Sequence, residues 1–226
     1  MPDLPRYIDH TLLKPEATES EIRDLTAQAI GHQFASVCVN GRWIALVSDL
    51  LRQAGADRGP RPVAACAVVG FPLGAGRSSV KAHEAAAAVR DGAREIDMVI
   101  ALDTLLTLNF DAARDDIAAV VQAAGAARPG ALVKVILETA ALNEEQTALG
   151  CRAARDAGAD FLKTSTGFHP AGGASEKAVR RLLKYGAGLS VKASGGIRDR
   201  AAAEKYIALG VRRIGTSAGA IMVQAP

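Results

Sequence analysis

Short β-branched segments alternate with longer, alanine-rich and charged segments along the whole 226-residue chain. The longer segments have the apolar period and the start signals of helices, and the shorter segments are typical of strands. Regular alternation of this kind predicts an α/β fold, in which helical crossovers join parallel strands. Eight strands are predicted, at Tyr7–Leu12, Ser36–Asn40, Val63–Val69, Glu95–Ile100, Leu132–Leu137, Asp160–Lys163, Leu189–Lys192 and Arg212–Gly215.

Eight βα units can form either an open, doubly wound sheet or a closed barrel, and this sequence favours the barrel. A barrel needs about 250 residues, which the chain approaches if its loops are short. The first predicted strand is not followed by GxGxxG, the main signal of a dinucleotide-binding half. No linker interrupts the alternation, and Arg58–Pro62 is interpreted as a loop that leads into a strand. We therefore predict a single (β/α)8 TIM barrel domain over residues 1–226.

Helix boundaries are predicted from side chains that can cap a first turn. Thr18 with Glu21 forms a capping box, and Asn143 with Gln146 forms a looser one. The helix after Asn40 has no evident cap. The other predicted signals are caps at Ser79, Asp111, Ser175 and Asp199, and a helix end at Gly210.

Charge and composition exclude several classes of protein. The chain has 27 basic and 24 acidic residues, a formal charge of +3, and no run of five basic residues, which argues against nucleic-acid or membrane-surface partners. No segment approaches 18 continuous apolar residues, and Met1–Arg6 lacks the apolar core of a secretion signal. Cys38, Cys66 and Cys151 lack CxxC spacing, which indicates reduced thiols and predicts a cytoplasmic location.

Lysine usage is the sharpest indication of chemistry. Only eight of the 27 basic residues are lysine, yet Lys134, Lys163 and Lys192 lie in or at the ends of predicted strands. KTSTG at Lys163 and KASGG at Lys192 are 29 residues apart, so one βα unit should place both lysines at the same height on neighbouring strands. Arginine cannot supply a neutral amine for a Schiff base, whereas lysine can. The alternative is that these lysines are solvated strand ends or phosphate contacts.

Two ammonium groups on adjacent strands, about 4.8 Å apart, would repel one another. This repulsion and partial burial favour the neutral form of one lysine, which is the form that attacks an aldehyde carbonyl. The proton transfers that follow need a general acid/base. Asp97, inside EIDMVI, is the best candidate, because a carboxylate in the middle of a strand is costly unless it is paired. A buried ion pair with a lysine is the alternative, and one residue could fill both roles.

Three other positions are weaker candidates. Asp9, in IDHTLLKP, either faces inward, with Thr11 one alternation further along, or caps the turn after its strand. Lys134, four residues before Glu138, is a rival nucleophile. Because barrel active sites lie at the carboxyl-terminal ends of the strands, we interpret Lys134 as a deeper ion-pair partner.

The predicted loops after the last three strands have the residues of an anion site. Glycines let backbone N–H groups approach a phosphate, and hydroxyls add donors, although ordinary tight turns would explain any one loop. The residues are Thr166, Gly167, Gly195, Gly196, Gly215 and Ser217. Cys38 could reach the site or be a packed core thiol. The four histidines show no paired spacing, so no metal site is predicted.

Several motifs together resemble the deoxyribose-phosphate aldolase family. In order, they are IDHTLLKP, VCVN, VVGFPLG, EIDMVI, KVILET, FLKTSTGF, VKASGGIR and RIGTSAG, which extend from Tyr7 to about Met222. The resemblance implies a short bacterial-type class I aldolase with a (β/α)8 barrel. Such an enzyme cleaves 2-deoxy-D-ribose 5-phosphate to acetaldehyde and D-glyceraldehyde 3-phosphate without a metal or other cofactor.

The resemblance also implies roles for individual residues. Lys163 would form the Schiff base, Lys192 would tune it and help to move protons, and Asp97 would be the acid/base partner. Asp9, Thr11 and Cys38, which are candidates from the strand pattern itself, are also predicted on the substrate side. The six residues of the predicted anion site match the phosphate-side positions, which are Thr166, Gly167, Gly195, Gly196, Gly215 and Ser217.

Two positions depart from the pattern of the family. Ala218 stands where many members have a second serine, so this chain lacks one hydroxyl donor of the family pattern, and His169 stands where small residues are common. The expected partners are small-molecule sugar phosphates and aldehydes, and we expect a homodimer or a homotetramer. The rival functions are an aldolase for another phosphorylated sugar and a catalytically silent barrel that binds sugar phosphates.

Overall fold

The structure is a computed structural model that describes residues 3–224. Eight parallel strands form a closed barrel, in which each strand pairs with its neighbours in the chain and β8 pairs with β1. The strands are β1 Ile8–Leu12, β2 Ser36–Asn40, β3 Ala64–Val69, β4 Glu95–Val99, β5 Leu132–Ile136, β6 Phe161–Lys163, β7 Ser190–Ser194 and β8 Arg213–Thr216. The predicted (β/α)8 barrel is therefore confirmed.

Helices connect the successive strands and cover the outside of the barrel. They are α1 Glu19–His32, α2 Ile44–Gln53, α3 Ser78–Arg90, α4 Leu102–Leu106, α5 Phe110–Ala127, α6 Glu144–Asp156, α7 Glu176–Tyr185, α8 Arg200–Ala208 and α9 Gly219–Gln224. Short 3-10 turns lie at Leu4–Tyr7, Gly41–Trp43 and Thr139–Ala141. Within residues 3–224, none of the helices combines the length and the hydropathy that a bilayer crossing requires.

Side-chain alternation along β4 shows how the barrel separates two environments. Ile96 and Met98 are fully buried in the apolar core between the strands and the helices. Because successive side chains of a strand point to opposite faces, Glu95 and Asp97 face the inside of the barrel. Along β4, the apolar side chains therefore pack outside the sheet, and the charged side chains lie inside the barrel.

All eight predicted strands are present; β2 has the predicted ends, and the ends of the others differ from the prediction by at most two residues. Tyr7 belongs to the 3-10 turn that precedes β1. β7 continues past Lys192 to Ser194, because Ser194 pairs in register with Gly215 of β8. Such differences arise where the ladder of hydrogen bonds begins or ends, which residue propensity alone does not determine.

Four of the six predicted helix starts are confirmed. Both capping boxes are present, and side-chain caps are found at Ser175 and Asp199. Ser79 is not a cap, because α3 already begins at Ser78 and the residue before it makes no capping bond. Asp111 is also not a cap, since Asn109 accepts the first-turn N–H group of α5 instead. Gly210, with φ of +111°, follows α8 as predicted.

Candidate active site

The two motif lysines meet inside the barrel. Lys163 of β6 and Lys192 of β7 are partners in the strand register, as the spacing of the motifs predicts. Both ammonium groups donate to the same oxygen, Oδ2 of Asp97, and each Nζ–Oδ2 distance is 2.7 Å. The carboxylate therefore stands between the two lysines, so the predicted repulsion between bare ammonium groups describes the site incompletely.

Asp97 is the common partner of three lysines. Its other oxygen, Oδ1, accepts a hydrogen bond from Lys134 at 2.9 Å. Burial disfavours the charged carboxylate, but Lys134, Lys163 and Lys192 outweigh burial and hold the pKa of Asp97 well below its usual range. Asp97 is thus ionised in the folded protein and is the shared counter-ion of the three lysines. Lys134 also lies 2.5 Å from Glu95, which confirms it as a deeper ion-pair partner.

Lys192 has a second carboxylate partner. Its Nζ atom lies 2.5 Å from Oδ2 of Asp9, so Asp9 faces inward and does not cap a turn. Burial opposes the charge on Lys192, yet Asp9 and then Asp97 raise the pKa of Lys192 above its ordinary value. Lys192 consequently remains an ammonium ion at neutral pH.

The charged network extends to residues that the sequence analysis missed. Arg213 of β8 donates to Asp9 at 2.8 Å and to Glu95 at 2.9 Å. Burial again opposes the charged form of Asp9, but Lys192 and Arg213 lower the pKa of Asp9 below its usual range. Glu95 precedes Asp97 by two residues, so alternation along the strand could have identified it as inward-facing.

A cavity of about 310 Å³ opens at the carboxyl-terminal mouth of the barrel. Lys163 is only 3% exposed but lines this cavity, whereas Lys134 and Lys192 are not among its lining residues. Lys163 therefore connects the charged network with the space available to a ligand. The other predicted site residues that line the cavity are Thr11, Thr166, Gly195, Gly196, Gly215 and Ser217.

The predicted phosphate-side glycines serve different purposes. Gly195 and Gly196 have φ of +93° and +83°, a region that favours glycine. Gly215, predicted as the last residue of a strand and grouped with the loop that follows, lies within β8, where a Cβ atom would come 2.8 Å from Ser194 Cβ and 3.1 Å from Lys192 Cε. Gly215 is thus needed because it leaves room for the stem of Lys192. Gly167 is not among the lining residues, although it packs against Gly195.

The Thr166 side chain is already engaged by a residue to which the sequence analysis gave no role here. Its hydroxyl donates to Oε2 of Glu138 at 2.6 Å, and its N–H group also contacts that carboxylate. The Thr166 hydroxyl accepts the N–H group of Phe168 at 3.1 Å. Thr166 therefore shapes the loop, and its hydroxyl hydrogen is not free for a phosphate. Thr11 similarly donates to the backbone of Asp9 at 2.8 Å.

Cys38 is a fully buried thiol beside the network and does not line the cavity. The Cys66 thiol donates to Asp97 at 3.3 Å, and the potential ligand atoms of Cys38, Cys66 and Asp97 lie within 4.8 Å of one another. The spacing of cysteines and histidines in the sequence did not predict that these three residues lie together. It does not suit a metal cation, because the Asp97 oxygens are occupied by ammonium groups that would repel one.

Several lining residues were missed, including Lys14, Phe168, Ser194 and Arg198. Their motif neighbours were identified, so proximity to KTSTG and KASGG was the available signal. Ala218 is not among the lining residues, and its N–H group donates to Thr216. His169 lines a neighbouring cavity instead.

Comparison with known proteins identifies the family to which this barrel belongs. Residues 5–222 match the model of the DeoC/LacD family aldolases. The chain belongs to this aldolase family. Deoxyribose-phosphate aldolase of Bdellovibrio bacteriovorus is 48% identical over 98% of this chain and 96% of its own length, and that of Streptococcus sanguinis is 46% identical with the same coverage.

The solved structures agree with this membership of the DeoC/LacD aldolases. Deoxyribose phosphate aldolase from Aeropyrum pernix, described as a unique tetramer, has a TM-score of 0.88 and 34% identity. The match covers 99% of this chain and 91% of that one. The family resemblance predicted from the motifs is therefore confirmed, together with the barrel that it implies.

Proposed function

We propose that this DeoC/LacD aldolase cleaves 2-deoxy-D-ribose 5-phosphate to acetaldehyde and D-glyceraldehyde 3-phosphate through a Schiff base on Lys163. The position of Lys163 supports the proposal most directly: its amine contacts the Asp97 carboxylate and lines the cavity at the mouth. The names of the Bdellovibrio and Streptococcus relatives support the choice of substrate.

The reaction begins when Lys163 loses a proton, for which the Asp97 carboxylate at 2.7 Å is an acceptor in direct contact. The neutral amine adds to the C1 aldehyde of the open-chain sugar and forms a carbinolamine. Its hydroxyl group takes up a proton and leaves as water, which produces an iminium ion. The Lys192 ammonium group, which shares an oxygen of Asp97 with Lys163, is the proposed proton donor.

Cleavage uses the iminium ion as an electron sink. The C3 hydroxyl loses its proton, the C2–C3 bond breaks, and its electron pair forms an enamine with C1 and the Lys163 nitrogen. D-Glyceraldehyde 3-phosphate leaves as the first product. The enamine then takes up a proton at C2, and water hydrolyses the resulting iminium ion, which releases acetaldehyde and restores the Lys163 amine.

The phosphate would bind on the glycine-rich side of the same cavity. Gly195, Gly196 and Ser217 line that side with backbone and hydroxyl groups, and Arg198 adds a cationic side chain. The phosphate group would then lie away from the charged network. The network can then act on the reacting carbon atoms without binding the phosphate.

Borohydride trapping tests the Schiff base. Incubation with acetaldehyde and borohydride should attach a two-carbon adduct to Lys163, detected by peptide mass spectrometry. Lys163→Arg retains the charge but should abolish the adduct, because arginine offers no neutral amine. Lys177→Arg, at an exposed lysine of α7, is the matched control and should be modified like the wild type.

Cleavage assays on a panel of sugar phosphates, with a chelator present, test the substrate. Release of acetaldehyde from 2-deoxy-D-ribose 5-phosphate is expected, and chelation should leave the rate unchanged. An adduct without cleavage of this sugar would favour an aldolase for another phosphorylated sugar. Binding of sugar phosphates without any adduct would favour the silent barrel.

We also propose that the protein is a homodimer or a homotetramer. The tetrameric structure of the Aeropyrum pernix relative supports self-association. Light scattering coupled to size-exclusion chromatography gives the mass directly, and a mass near the 23.4 kDa of one chain would contradict the proposal.

A further inference from the structure

A second cavity, also of about 310 Å³, lies at the barrel mouth beside the first. It is formed by the segments that follow β3, β4, β5 and β6, whereas the first cavity is formed by those that follow β6, β7, β8 and β1. Eight of its ten lining residues are apolar, among them Leu73, Ile100 and Phe168. Leu73 is 76% exposed and Phe168 is 53% exposed, so the cavity opens through an apolar rim.

The two polar side chains that line this cavity are already engaged. The Glu138 carboxylate accepts the hydroxyl hydrogen of Thr166, and the Nδ1 atom of His169 accepts the N–H group of Ala171 at 3.1 Å. A phosphate or a polyol would therefore find few free partners here. The walls suit a hydrocarbon group, and the volume lies at the lower end of the range for small-molecule sites.

Phe168 is the wall that the two cavities share. Its ring packs edge-to-face on Phe71, with 5.2 Å between the ring centroids. Thr166 lines the first cavity and Glu138 lines the second, so their hydrogen bond also belongs to this partition. The Phe168 side chain is half exposed at the rim, so an outward turn of its ring would give up the contact with Phe71 and join the two cavities.

We infer that the second cavity is a binding subsite for the hydrocarbon chain of an aliphatic aldehyde, with Phe168 as the residue that separates it from Lys163. The inference rests on the proposed function, run in the direction of aldol addition. The enamine carbon of acetaldehyde on Lys163 bonds to the carbonyl carbon of the second aldehyde. The carbonyl oxygen takes up a proton and becomes a hydroxyl group, while the alkyl chain passes Phe168 into the second cavity.

The chain-length dependence of the addition reaction tests this assignment. For acetaldehyde plus propanal, butanal, pentanal or hexanal, kcat/KM for the longer aldehyde should rise about threefold to fourfold per added methylene, the gain expected for burying one CH2 group. Ala75→Phe places a ring in the second cavity, so kcat/KM should then rise by less than about twofold per added methylene. Ala127→Phe makes the same change on an exposed residue at the opposite end of the barrel, and this variant should keep the wild-type rise of kcat/KM with chain length.

Phe168→Ala removes the partition and should increase the ratio of the hexanal to the propanal kcat/KM several-fold. A wild-type kcat/KM that stays flat or falls with chain length, while Lys163 is still trapped by acetaldehyde, overturns the inference and leaves the proposed function intact. An Ala75→Phe protein with the wild-type dependence would also overturn it.

Binding of 1-alkanols, measured by calorimetry, does not require catalysis and therefore separates the two proposals. If acetaldehyde fails to trap Lys163, the proposed function fails, but 1-hexanol should still bind the wild type and the Ala127→Phe variant more tightly than it binds Ala75→Phe. Absence of this difference overturns the subsite. So does an assembly in which a second copy of the chain covers the mouth and no alkanol binds.

Discussion

The middle of the barrel is built from charged side chains, whereas its glycine-rich mouth is built largely from backbone groups. In the middle, charged side chains from six strands contact one another, and Asp97 alone bonds to three lysines. At the mouth, Gly195 and Gly196 offer backbone groups in conformations that favour glycine. The middle determines where protons and charges reside, and the mouth determines which ligand shape fits. Substitutions in the two regions should therefore affect different measurements.

Replacement of Lys192 should have the largest effect. Lys192→Leu removes a buried ammonium group that contacts Asp9 and Asp97, so cleavage of the sugar phosphate should fall about 10²- to 10⁴-fold, the range for loss of an acid/base group. Acetaldehyde trapping should slow as well, although acetaldehyde has no phosphate. Quench-flow trapping and a coupled cleavage assay measure the two effects.

Arg198→Leu is the matched change at the mouth, because Arg198 lines the cavity. It should raise KM for the sugar phosphate and leave the trapping rate with acetaldehyde unchanged. If Lys192→Leu behaved in the same way, Lys192 would be a phosphate ligand, and the distinction between the two regions would fail at this residue.

Loss of the central carboxylate should cost stability. Asp97→Asn leaves buried ammonium groups without their shared counter-ion, so the free energy of unfolding should fall by about 3–5 kcal/mol in urea titrations. Asp49→Asn, which breaks an exposed pair with Arg52, should change it by less than about 1 kcal/mol. Equal losses in both variants would show that the buried network adds no special stability.

The same network predicts a loss of stability in acid. The pKa of Asp97 is lower in the folded protein than the value of about 3.9 expected for an unfolded chain. Its contribution is therefore complete above that unfolded value and is lost as the pH falls towards the folded value. The wild type should lose stability below about pH 4 more steeply than Asp97→Asn.

A smaller effect is expected at the mouth from Gly195→Ala. An alanine there would have φ of +93°, and its Cβ atom would come 2.9 Å from Gly173 Cα. Backbone strain of this kind costs about 1–3 kcal/mol, so stability should fall and KM for the sugar phosphate should rise. Gly31→Ala, in α1 with free space around it, should instead stabilise the protein by about 0.5–1 kcal/mol.

The smallest effect is expected from Ala218→Ser. Because Ala218 does not line the cavity, the added hydroxyl should change KM for the sugar phosphate by less than about twofold. This is a smaller change than the gain of one hydrogen bond to the substrate would cause. Ser217→Ala removes a lining hydroxyl and should raise KM by about twofold to tenfold. A clearly tighter KM in Ala218→Ser would indicate that the last loop reaches further into the cavity.

The sequence predicted the barrel well because its periodicity is local. β-Branched segments and capping side chains act over a few residues, so every strand could be located, and the spacing of KTSTG and KASGG predicted that Lys163 and Lys192 pair. The errors at Ser79 and Asp111 also have a local cause. Each lies within two residues of the true helix start, where several polar side chains could serve as caps.

The composition of the charged network was only partly predictable. Asp97 was identified because a lone carboxylate in an apolar strand requires a partner, but Glu95 and Arg213 looked like ordinary polar ends of strands. Glu95 and Arg213 are 118 positions apart in the chain, so no local sequence pattern indicates that they contact each other. The need for glycine at position 215 was likewise not predictable, because the stem of Lys192 that requires the space lies on another strand.

Closure of the barrel determines when, during synthesis of the chain, the charged network can form. Asp9 in the first strand and Arg213 in the last are 204 positions apart, and Lys192 depends on both ends of the chain being in place. A nascent chain that still lacks β8 cannot close the ring that buries these charges. Lys163 and Lys192 therefore acquire these surroundings only once β8 has been synthesised, and a product truncated before β8 would carry the lysines without the charged network.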